Sequence, residues 1–292
     1  MEEASYFVLK SRAVAILTAS SALALGQSLE NYINTSTARQ LCCIPIAPSL
    51  CPSALLPSDI LISSDKYLDD NAAGVVIFTS GTTGPPKGAV MRRAFVHDVA
   101  GAVADHYQLT DHDVILHVLP VHHATGIGIN FLPFLVSGSC IEFKSGSFDS
   151  KWMWERWRRG GLTFFSGVPT IYMRMMRYYD DHLSKLPPGQ IEGYIEGAKQ
   201  FRGMLCGTSA LPRLFQEFWT SIRGGDSILT RYGATEIGVV FTVPFRPGDT
   251  PDGSVGEVVP GVDVKLSDGD EGEVLVRSPH MFSRYATCTR IP

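Results

Sequence analysis

A glycine-rich segment carries the first candidate chemistry in the sequence. Residues 79–88 are Thr-Ser-Gly-Thr-Thr-Gly-Pro-Pro-Lys-Gly, and they follow an apolar run over residues 74–78. Glycines let a turn direct its backbone N–H groups inward, and hydroxyls and a lysine add donors, so the segment has the chemistry to hold a polyphosphate. It is not a Walker A loop, because Pro86 stands where the second glycine belongs and Gly88 follows Lys87 in place of serine or threonine. The alternative is a surface turn, for which these residue types are also typical.

Further motifs combine polar groups with glycine or proline. They are Leu-Pro-Val-His-His-Ala-Thr-Gly at residues 119–126, Gly-Thr-Ser-Ala-Leu-Pro at residues 207–212 and Tyr-Gly-Ala-Thr-Glu at residues 232–236. Taken alone, a glutamate after a strand is usually a solvated or capping residue, so the motif needs structural support.

Short apolar or β-branched runs alternate with longer amphipathic runs along most of the chain. This alternation predicts an α/β fold, with a parallel or mixed sheet covered by helices. Strands are predicted at residues 75–78, 114–119, 140–143, 162–165, 204–206 and 228–229, and helices at residues 92–107, 152–159, 170–180 and 213–222. Strand-like runs separated by glycine, proline and aspartate follow. We therefore expect an α/β core over residues 1–237 and a smaller β-rich subdomain over residues 238–292.

The composition describes a folded chain with no strongly charged partner. Hydrophobic residues make up 45% and charged residues 18% of its 292 residues, which excludes a disordered protein. The formal net charge is −4, so no nucleic-acid partner is expected. The apolar stretch over residues 13–25 is interrupted by Thr18, Ser20 and Ser21 and is too short to span a membrane. The 6 cysteines include no C-x-x-C pair, so reduced thiols and a cytoplasmic location are expected.

The order of the motifs resembles that of the adenylate-forming, or AMP-binding, superfamily, which includes acyl-CoA synthetases. Residues 79–88 are similar to its phosphate-binding signature, and residues 232–236 to its Tyr-Gly-x-Thr-Glu motif. Residues 207–212 are similar to its adenine loop, and residues 119–126 to the segment that lines its acyl pocket. The resemblance implies an α/β fold that corresponds to part of the large N-terminal domain of the superfamily.

The resemblance also implies ATP, Mg²⁺ and CoA. A substrate carboxylate attacks the α-phosphate of ATP, which gives an acyl-adenylate and pyrophosphate, and CoA then accepts the acyl group as a thioester. Positioning and stabilisation of phosphate charge supply most of the catalysis in such a step. The implied catalytic residues are Lys87, Thr235 and Glu236, and Glu236 is the implied metal ligand. The implied nucleotide-binding residues are Thr79, Ser80, Gly81, Thr82, Thr83, Gly84, Lys87, Gly207, Thr208, Ser209, Tyr232, Gly233 and Thr235.

The acid implied by the resemblance is small. The most similar branch is malonyl-CoA synthetase, on residues 115–126, 166–172 and 231–238. In that branch His122 and His123 would line the acyl pocket, and Arg202 would bind the distal carboxylate of a dicarboxylic acid. The alternatives are structural histidines and a solvated Arg202. Thr125 stands where the branch has a further histidine, so a different short- or medium-chain acid stays open.

Landmarks of the superfamily are missing at both ends of the match. The match begins near Tyr6 and weakens after residue 277, and the sequence has no Thr-Gly-Asp motif for ribose and no C-terminal lid domain with its catalytic lysine. We therefore expect an acid–CoA ligase-like protein, truncated at both ends, that turns over poorly or together with a second polypeptide. The alternative is a non-catalytic nucleotide-binding remnant or an incomplete gene model. Missing strands would leave an exposed sheet edge, which favours self-association.

Overall fold

A computed structural model describes residues 1–46, 69–79, 84–245, 250, 251 and 253–286. The helices are α1 (Glu2–Ser11), α2 (Leu23–Ser36), α3 (Ala100–His106), α4 (Leu132–Val136), α5 (Ser150–Arg158), α6 (Pro169–Asp181), α7 (Pro188–Lys199) and α8 (Arg213–Ile222). Shorter 3-10 turns cover Ser20–Ala22 and Leu183–Lys185, and π-helical turns cover Phe95–Val99 and Gly126–Phe131. None of the described helices combines the length and the apolar content needed to cross a bilayer.

Strands form one large sheet and several small ones. They are β1 (Ala15–Ala19), β2 (Cys42–Ile46), β3 (Ala73–Thr79), β4 (Lys87–Arg92), β5 (Val114–His117), β6 (Cys140–Phe143), β7 (Phe164–Gly167), β8 (Gly203–Cys206), β9 (Leu229–Ala234), β10 (Gly238–Thr242), β11 (Glu257–Val258), β12 (Asp263–Asp268), β13 (Glu271–Arg277) and β14 (Arg284–Tyr285). The large sheet has 7 strands in the order β11-β10-β9-β8-β7-β5-β6. From β6 to β9 its neighbours pair in parallel, whereas β10 and β11 pair antiparallel. The predicted α/β fold with a mixed sheet is confirmed.

Strand β7 shows why the parallel sheet is buried on both faces. Phe164 and Phe165 are consecutive, so their side chains point to opposite faces, and both are 0% exposed. On one face Phe165 packs against Trp157 with ring centroids 5.0 Å apart. On the other face Phe164 packs against Tyr107 and Phe134 at centroid distances of 6.2 and 5.5 Å. Such continuous apolar runs are typical of parallel strands covered by helices on both sides.

An aromatic cluster attaches helices α5 to α8 to one face of this sheet. Trp154 of α5 stacks on Trp219 of α8 at a centroid distance of 5.6 Å, and both rings are fully buried. The indole N–H of Trp154 donates to the carbonyl of Met175 at 3.0 Å, which satisfies that polar group inside the core. Helix α5 itself begins where the Asp149 side chain accepts a hydrogen bond from the Trp152 backbone N–H at 3.1 Å, a typical N-cap.

The strands after residue 237 are distributed over several sheets. β10 and β11 extend the large sheet, β12 and β13 form a hairpin, and β14 joins β3 and β4 in a sheet of 3 strands. The division into domains at residue 237 stays a prediction. The remaining pair, β1 and β2, runs in parallel and exposes Leu17, Ile44 and Ile46. Self-association through such a surface also stays a prediction.

Close packing between α5 and α7 predicts different effects for substitutions at two glycines of α7. An added Cβ at Gly197 would come within 2.8 Å of the backbone of Trp157 and Arg158, whereas an added Cβ at Gly189 meets no atom within 4 Å. We expect Gly197→Ala to lower the free energy of unfolding by roughly 1–3 kcal/mol, because the helices must move apart. The matched control Gly189→Ala should change it by less than about 0.5 kcal/mol. Urea unfolding followed by circular dichroism measures both, and equal effects would contradict the packing.

Candidate functional site

A cavity of about 490 Å³ lies at the carboxyl ends of β8 and β9. Its other walls include the end of β3, the start of β4, residues of both π-helical turns and Tyr285. Ligands of open α/β sheets bind at this edge, outside the carboxyl ends of the strands. The residues predicted from the sequence that line the cavity are Thr79, Lys87, His123, Thr208, Tyr232, Gly233, Thr235 and Glu236.

Two residues of the glycine-rich segment, Thr79 and Lys87, line this cavity. Thr79 ends β3 and is the antiparallel partner of Lys87, the first residue of β4. The turn between them includes Gly84, whose φ of +101° favours glycine. Ser80, Gly81, Thr82 and Thr83 lie outside the described residues, so their expected contacts with phosphate stay a prediction. The segment therefore presents at least one cation, Lys87, to the cavity.

The motif at residues 232–236 forms the tight connection between β9 and β10. An added Cβ at Gly233 would collide with the backbone carbonyl of Gly238, so the two strands approach too closely for any other residue at position 233. This connection leaves the Tyr232 side chain 46% exposed at the cavity. Thr235 and Glu236 follow within the same turn and also line the cavity.

The carboxylate of Glu236 has a specific partner. The hydroxyl of Tyr285 donates a hydrogen bond to Glu236 Oε1 at 2.8 Å. This hydrogen bond to a charged acceptor raises the pKa of Tyr285, and burial and the nearby charge act in the same direction. The ring of the same tyrosine lies below the Lys87 ammonium, with Nζ 5.5 Å from the ring centroid. Tyr285 thus contacts both charged candidates from the motifs.

The single carboxylate of Glu236 suits a Mg²⁺ ion that is bound together with a nucleotide. The described residues contain no group of three or more His, Cys, Asp and Glu side chains that could hold a metal alone. Mg²⁺ is commonly held by one or two carboxylates while substrate phosphates and water complete its octahedral shell. A single carboxylate beside a lysine and a glycine-rich turn fits that pattern.

The adenine-loop candidates surround the end of β8. Thr208 lines the cavity and has a φ of +73°, a strained value for a residue with a Cβ. Gly207 is buried, and an added Cβ there would lie 3.1 Å from Arg231 Nε, so the glycine leaves room for that guanidinium. Ser209 is exposed and is not among the described residues that line the cavity.

The two histidine candidates have different positions. Both histidines are exposed, but only His123 is among the described residues that line the cavity. The backbone N–H of Thr125 donates to His123 Nδ1 at 3.2 Å, which requires an unprotonated Nδ1. Desolvation of the ring, followed by repulsion from His122, lowers the pKa of His123 and also favours the neutral form.

Arg202 does not lie at the expected place in the site. It precedes β8 and lies at the amino end of that strand, whereas Gly207 and the cavity lie at its carboxyl end. Its guanidinium forms an ion pair with Asp113, at 2.5 Å to Oδ1, and donates to the carbonyl of Gln108 at 3.2 Å. The structure therefore separates Arg202 from the other candidates and makes it a partner of a buried carboxylate.

The cavity instead contains Arg231, which the sequence analysis did not select. Arg231 is 8% exposed, and its Nη1 and Nη2 are buried without a hydrogen-bond partner in the described part of the chain. Leaving a buried guanidinium unpaired is costly, so an anionic ligand is the natural partner. The alternation of buried and less buried side chains along β9 could have revealed Arg231 from the sequence, because Leu229 and Arg231 share the buried face of the strand.

The fold and the cavity define an α/β protein with a cavity at the carboxyl ends of its parallel strands. The chain belongs to the AMP-binding enzyme family, whose model matches residues 1–286. This match confirms the family resemblance found from the motifs.

Curated relatives within the family are CoA ligases. A protein of Humulus lupulus named "Probable CoA ligase" is 32% identical, over 89% of this chain and 46% of its own length. The malonate–CoA ligase of Arabidopsis thaliana is 33% identical, over 78% of this chain and 38% of its own length. The mitochondrial malonate–CoA ligase of Homo sapiens is 32% identical, over 83% of this chain and 47% of its own length. The chain thus spans about half the length of the curated relatives it matches.

Solved structures share the fold. A malonyl-CoA ligase in a ternary product complex with methylmalonyl-CoA and AMP gives a TM-score of 0.77 at 26% identity, over 99% of this chain and 57% of that one. ATP-bound MatB from Rhodopseudomonas palustris gives a TM-score of 0.75 at 22% identity, over 99% of this chain and 55% of that one. These matches agree with the α/β architecture of the large domain of adenylate-forming enzymes.

The ion pair between Arg202 and Asp113 predicts a pH-dependent contribution to stability. Burial alone would raise the pKa of Asp113, but hydrogen bonds from Arg202, from the Thr163 side chain and from the Thr110 backbone, together with the charge of Arg202, outweigh it and lower that pKa. Because the folded pKa is depressed, the contribution is fully present above the ordinary aspartate pKa and is lost as the pH falls through the folded value.

We expect Arg202→Met to lower the free energy of unfolding by roughly 2 kcal/mol at neutral pH, because the Asp113 carboxylate, 1% exposed, loses its cation. The loss should shrink toward acid pH, where Asp113 becomes protonated. Adding Asp113→Asn should recover part of it at neutral pH. Urea unfolding at several pH values measures these differences, and a loss that does not depend on pH would contradict the assignment.

Proposed function

We propose that this chain forms the nucleotide- and acid-binding part of an acid–CoA ligase. In this reaction a carboxylate attacks the α-phosphate of ATP and displaces pyrophosphate, and the thiol of CoA then displaces AMP to give a thioester. The observation that carries the proposal is the presence of Lys87, Tyr232, Thr235 and Glu236 in one cavity at the carboxyl edge of the sheet. Membership of a family whose curated relatives are named CoA ligases supports it.

Phosphate binding is assigned to the turn between β3 and β4. Lys87 supplies a positive charge next to the turn, and Thr79 and Gly84 flank the residues that would donate backbone and hydroxyl groups. Glu236 would hold Mg²⁺, which would neutralise phosphate charge as it develops in the transition state. Thr235 would contact the α-phosphate from the adjacent position.

The adenine would lie against Tyr232. Its ring is partly exposed at the cavity and would stack on the purine. Thr208 lines the same region, and its neighbours Gly207 and Ser209 complete the proposed adenine loop. Gly233 contributes by allowing β9 and β10 to approach closely, which orients the tyrosine.

The acid is proposed to be a small dicarboxylic acid of the malonate type. Arg231 is the cation that would bind the distal carboxylate, because its Nη atoms are buried, unpaired among the described residues and at the cavity. His123 would contact the acid as a neutral imidazole, and His122 would act from the exposed side of the same turn. The names of the Arabidopsis and human relatives agree with this substrate class.

A non-catalytic nucleotide-binding module is the alternative function. It would bind ATP in the same cavity without releasing pyrophosphate when an acid is added. Use of CoA as the acceptor, a cytoplasmic location and a partner polypeptide stay predictions. The human relative is named as mitochondrial.

The proposed role of Lys87 in phosphate binding predicts that its removal weakens the binding of nucleotide. We expect Lys87→Ala to weaken binding of ATP with Mg²⁺ by roughly 10- to 100-fold, the value of a charge-assisted hydrogen bond. Isothermal calorimetry measures the affinity, and Lys185→Ala, at an exposed position on the 3-10 turn, is the matched control. Malonate-dependent release of pyrophosphate, tested with the same proteins, separates the ligase from the binding module. Absence of ATP binding at millimolar nucleotide would refute both functions.

The proposed role of Arg231 predicts that it makes the site selective for dicarboxylic over monocarboxylic acids. We expect Arg231→Met to lower the affinity for malonate by roughly tenfold or more, measured with ATP present, while the weaker binding of propionate changes little. The free energy of unfolding without ligand should stay equal or rise, because a buried unpaired charge is replaced by an apolar chain of similar length. A variant that loses stability and binds both acids equally less well would show that Arg231 has only a structural role.

A further inference from the structure

We propose that Tyr285 is a positioning residue that keeps Lys87 and Glu236 apart and holds each one ready for the nucleotide. This inference rests on the proposed function for the roles of the two charged residues. Its geometric part concerns only contacts within the chain, so it can be tested without a ligand.

The position of Tyr285 is set by backbone pairing next to the glycine-rich turn. Tyr285 pairs with Ala89 of β4, and the following N–H, of Ala286, donates to the carbonyl of Gly88 at 2.7 Å. The strand that begins with Lys87 therefore carries Tyr285 at its side. The hydroxyl and the ring of Tyr285 cannot move far from the cavity while this ladder is intact.

The same segment is tied to the turn that carries Glu236. The backbone N–H of Phe282 donates to the carbonyl of Glu236 at 2.9 Å. The rings of Phe282 and Tyr285 pack edge to face, with centroids 4.8 Å apart. Residues 282–285 thus connect the lysine-bearing strand to the glutamate-bearing turn, although the two are far apart in the sequence.

Electrostatics explain why a tyrosine is useful at this point. Lys87 and Glu236 carry opposite charges and line one cavity, yet no ion pair joins these two described residues. A direct pair would neutralise the cation meant for phosphate and the carboxylate meant for Mg²⁺, and it would have to be broken before the nucleotide could bind. Tyr285 satisfies each charge separately instead.

Tyrosine has a different group for each charge. The negative face of its ring attracts the ammonium of Lys87, an interaction that a phosphate can readily replace. Its hydroxyl donates to Glu236 Oε1, which orients the carboxylate and leaves Oε2 without a hydrogen bond from the described residues. Phenylalanine would retain the ring contact alone, and leucine would retain neither, so these variants separate the two effects.

The geometric part is tested in the protein without nucleotide. Tyrosine carrying a carbon-13 label at Cζ allows the Tyr285 ring to be followed by NMR at neutral pH, with the signal assigned by its loss in Tyr285→Phe. We expect Glu236→Gln to shift this signal, because the Tyr285 hydroxyl loses its charged hydrogen-bond acceptor. The side-chain methylene signals of Lys87 should lose their ring-current shift in Tyr285→Leu and keep it in Tyr285→Phe. Unchanged signals in all variants would overturn the proposal.

The functional part uses ATP affinity measured by calorimetry with Mg²⁺ and with EDTA. We expect Tyr285→Phe to weaken binding roughly tenfold with Mg²⁺ and to leave binding in EDTA unchanged, because only the orientation of Glu236 is lost. Tyr285→Leu should weaken binding in both conditions. The matched control is Tyr178→Phe, because the Tyr178 ring lies in helix α6, is not among the described residues that line the cavity, and packs on His182 at the end of that helix.

The results of these experiments distinguish a failure of the positioning role from a failure of the proposed function. If the wild-type chain binds ATP, and its ATP affinity and that of Tyr285→Phe respond equally to Mg²⁺, the positioning role is wrong while the proposed function stands. If the wild-type chain does not bind ATP, the proposed function is wrong, and the NMR experiment alone decides whether Tyr285 separates the two charges.

Discussion

The site depends on the burial of the parallel strands β5, β7, β8 and β9 on both faces. Because Phe164 and Phe165 pack into separate clusters on opposite faces, a slip of β7 by one residue would move each ring to the opposite face and disrupt the packing of both clusters. The neighbouring strands are held in the same register by their hydrogen bonds. Their carboxyl ends therefore meet at one edge, where Thr208 and the residues that follow Tyr232 line a cavity. The chemistry at that edge is a consequence of packing elsewhere.

The cavity carries charges that are only partly neutralised by the protein. Arg231 is buried with unpaired Nη atoms among the described residues, and Lys87 and Glu236 meet through Tyr285 rather than through each other. Arg202, in contrast, is paired with Asp113 at the other end of β8. Arg202 is thus paired away from the cavity, whereas the Arg231 Nη atoms have no partner among the described residues.

Much of the fold and part of the site could be predicted from the sequence. The alternation of strands and helices predicted the α/β class, and the motifs supplied Lys87, Tyr232, Thr235 and Glu236, which line one cavity; their functional roles stay predictions. Local sequence is sufficient for these features because each motif is short and its residue types stand at fixed spacing. The residues after 237 were harder, since β14 pairs with β4 across almost 200 positions of sequence and no local pattern encodes such a pairing.

The sequence by itself determined the family, the glycine-rich turn and the Tyr-Gly-Ala-Thr-Glu connection, because these depend on residue types at short spacing. Only the tertiary structure decided which arginine belongs to the cavity. Arg202 and Arg231 each adjoin a sequence motif, but Arg202 precedes the amino end of β8. Arg231 follows Thr230, which pairs with the last residue of β8, so the two arginines lie at opposite ends of that strand. The partnership of Tyr285 with Lys87 and Glu236 likewise exists only after distant strands have paired.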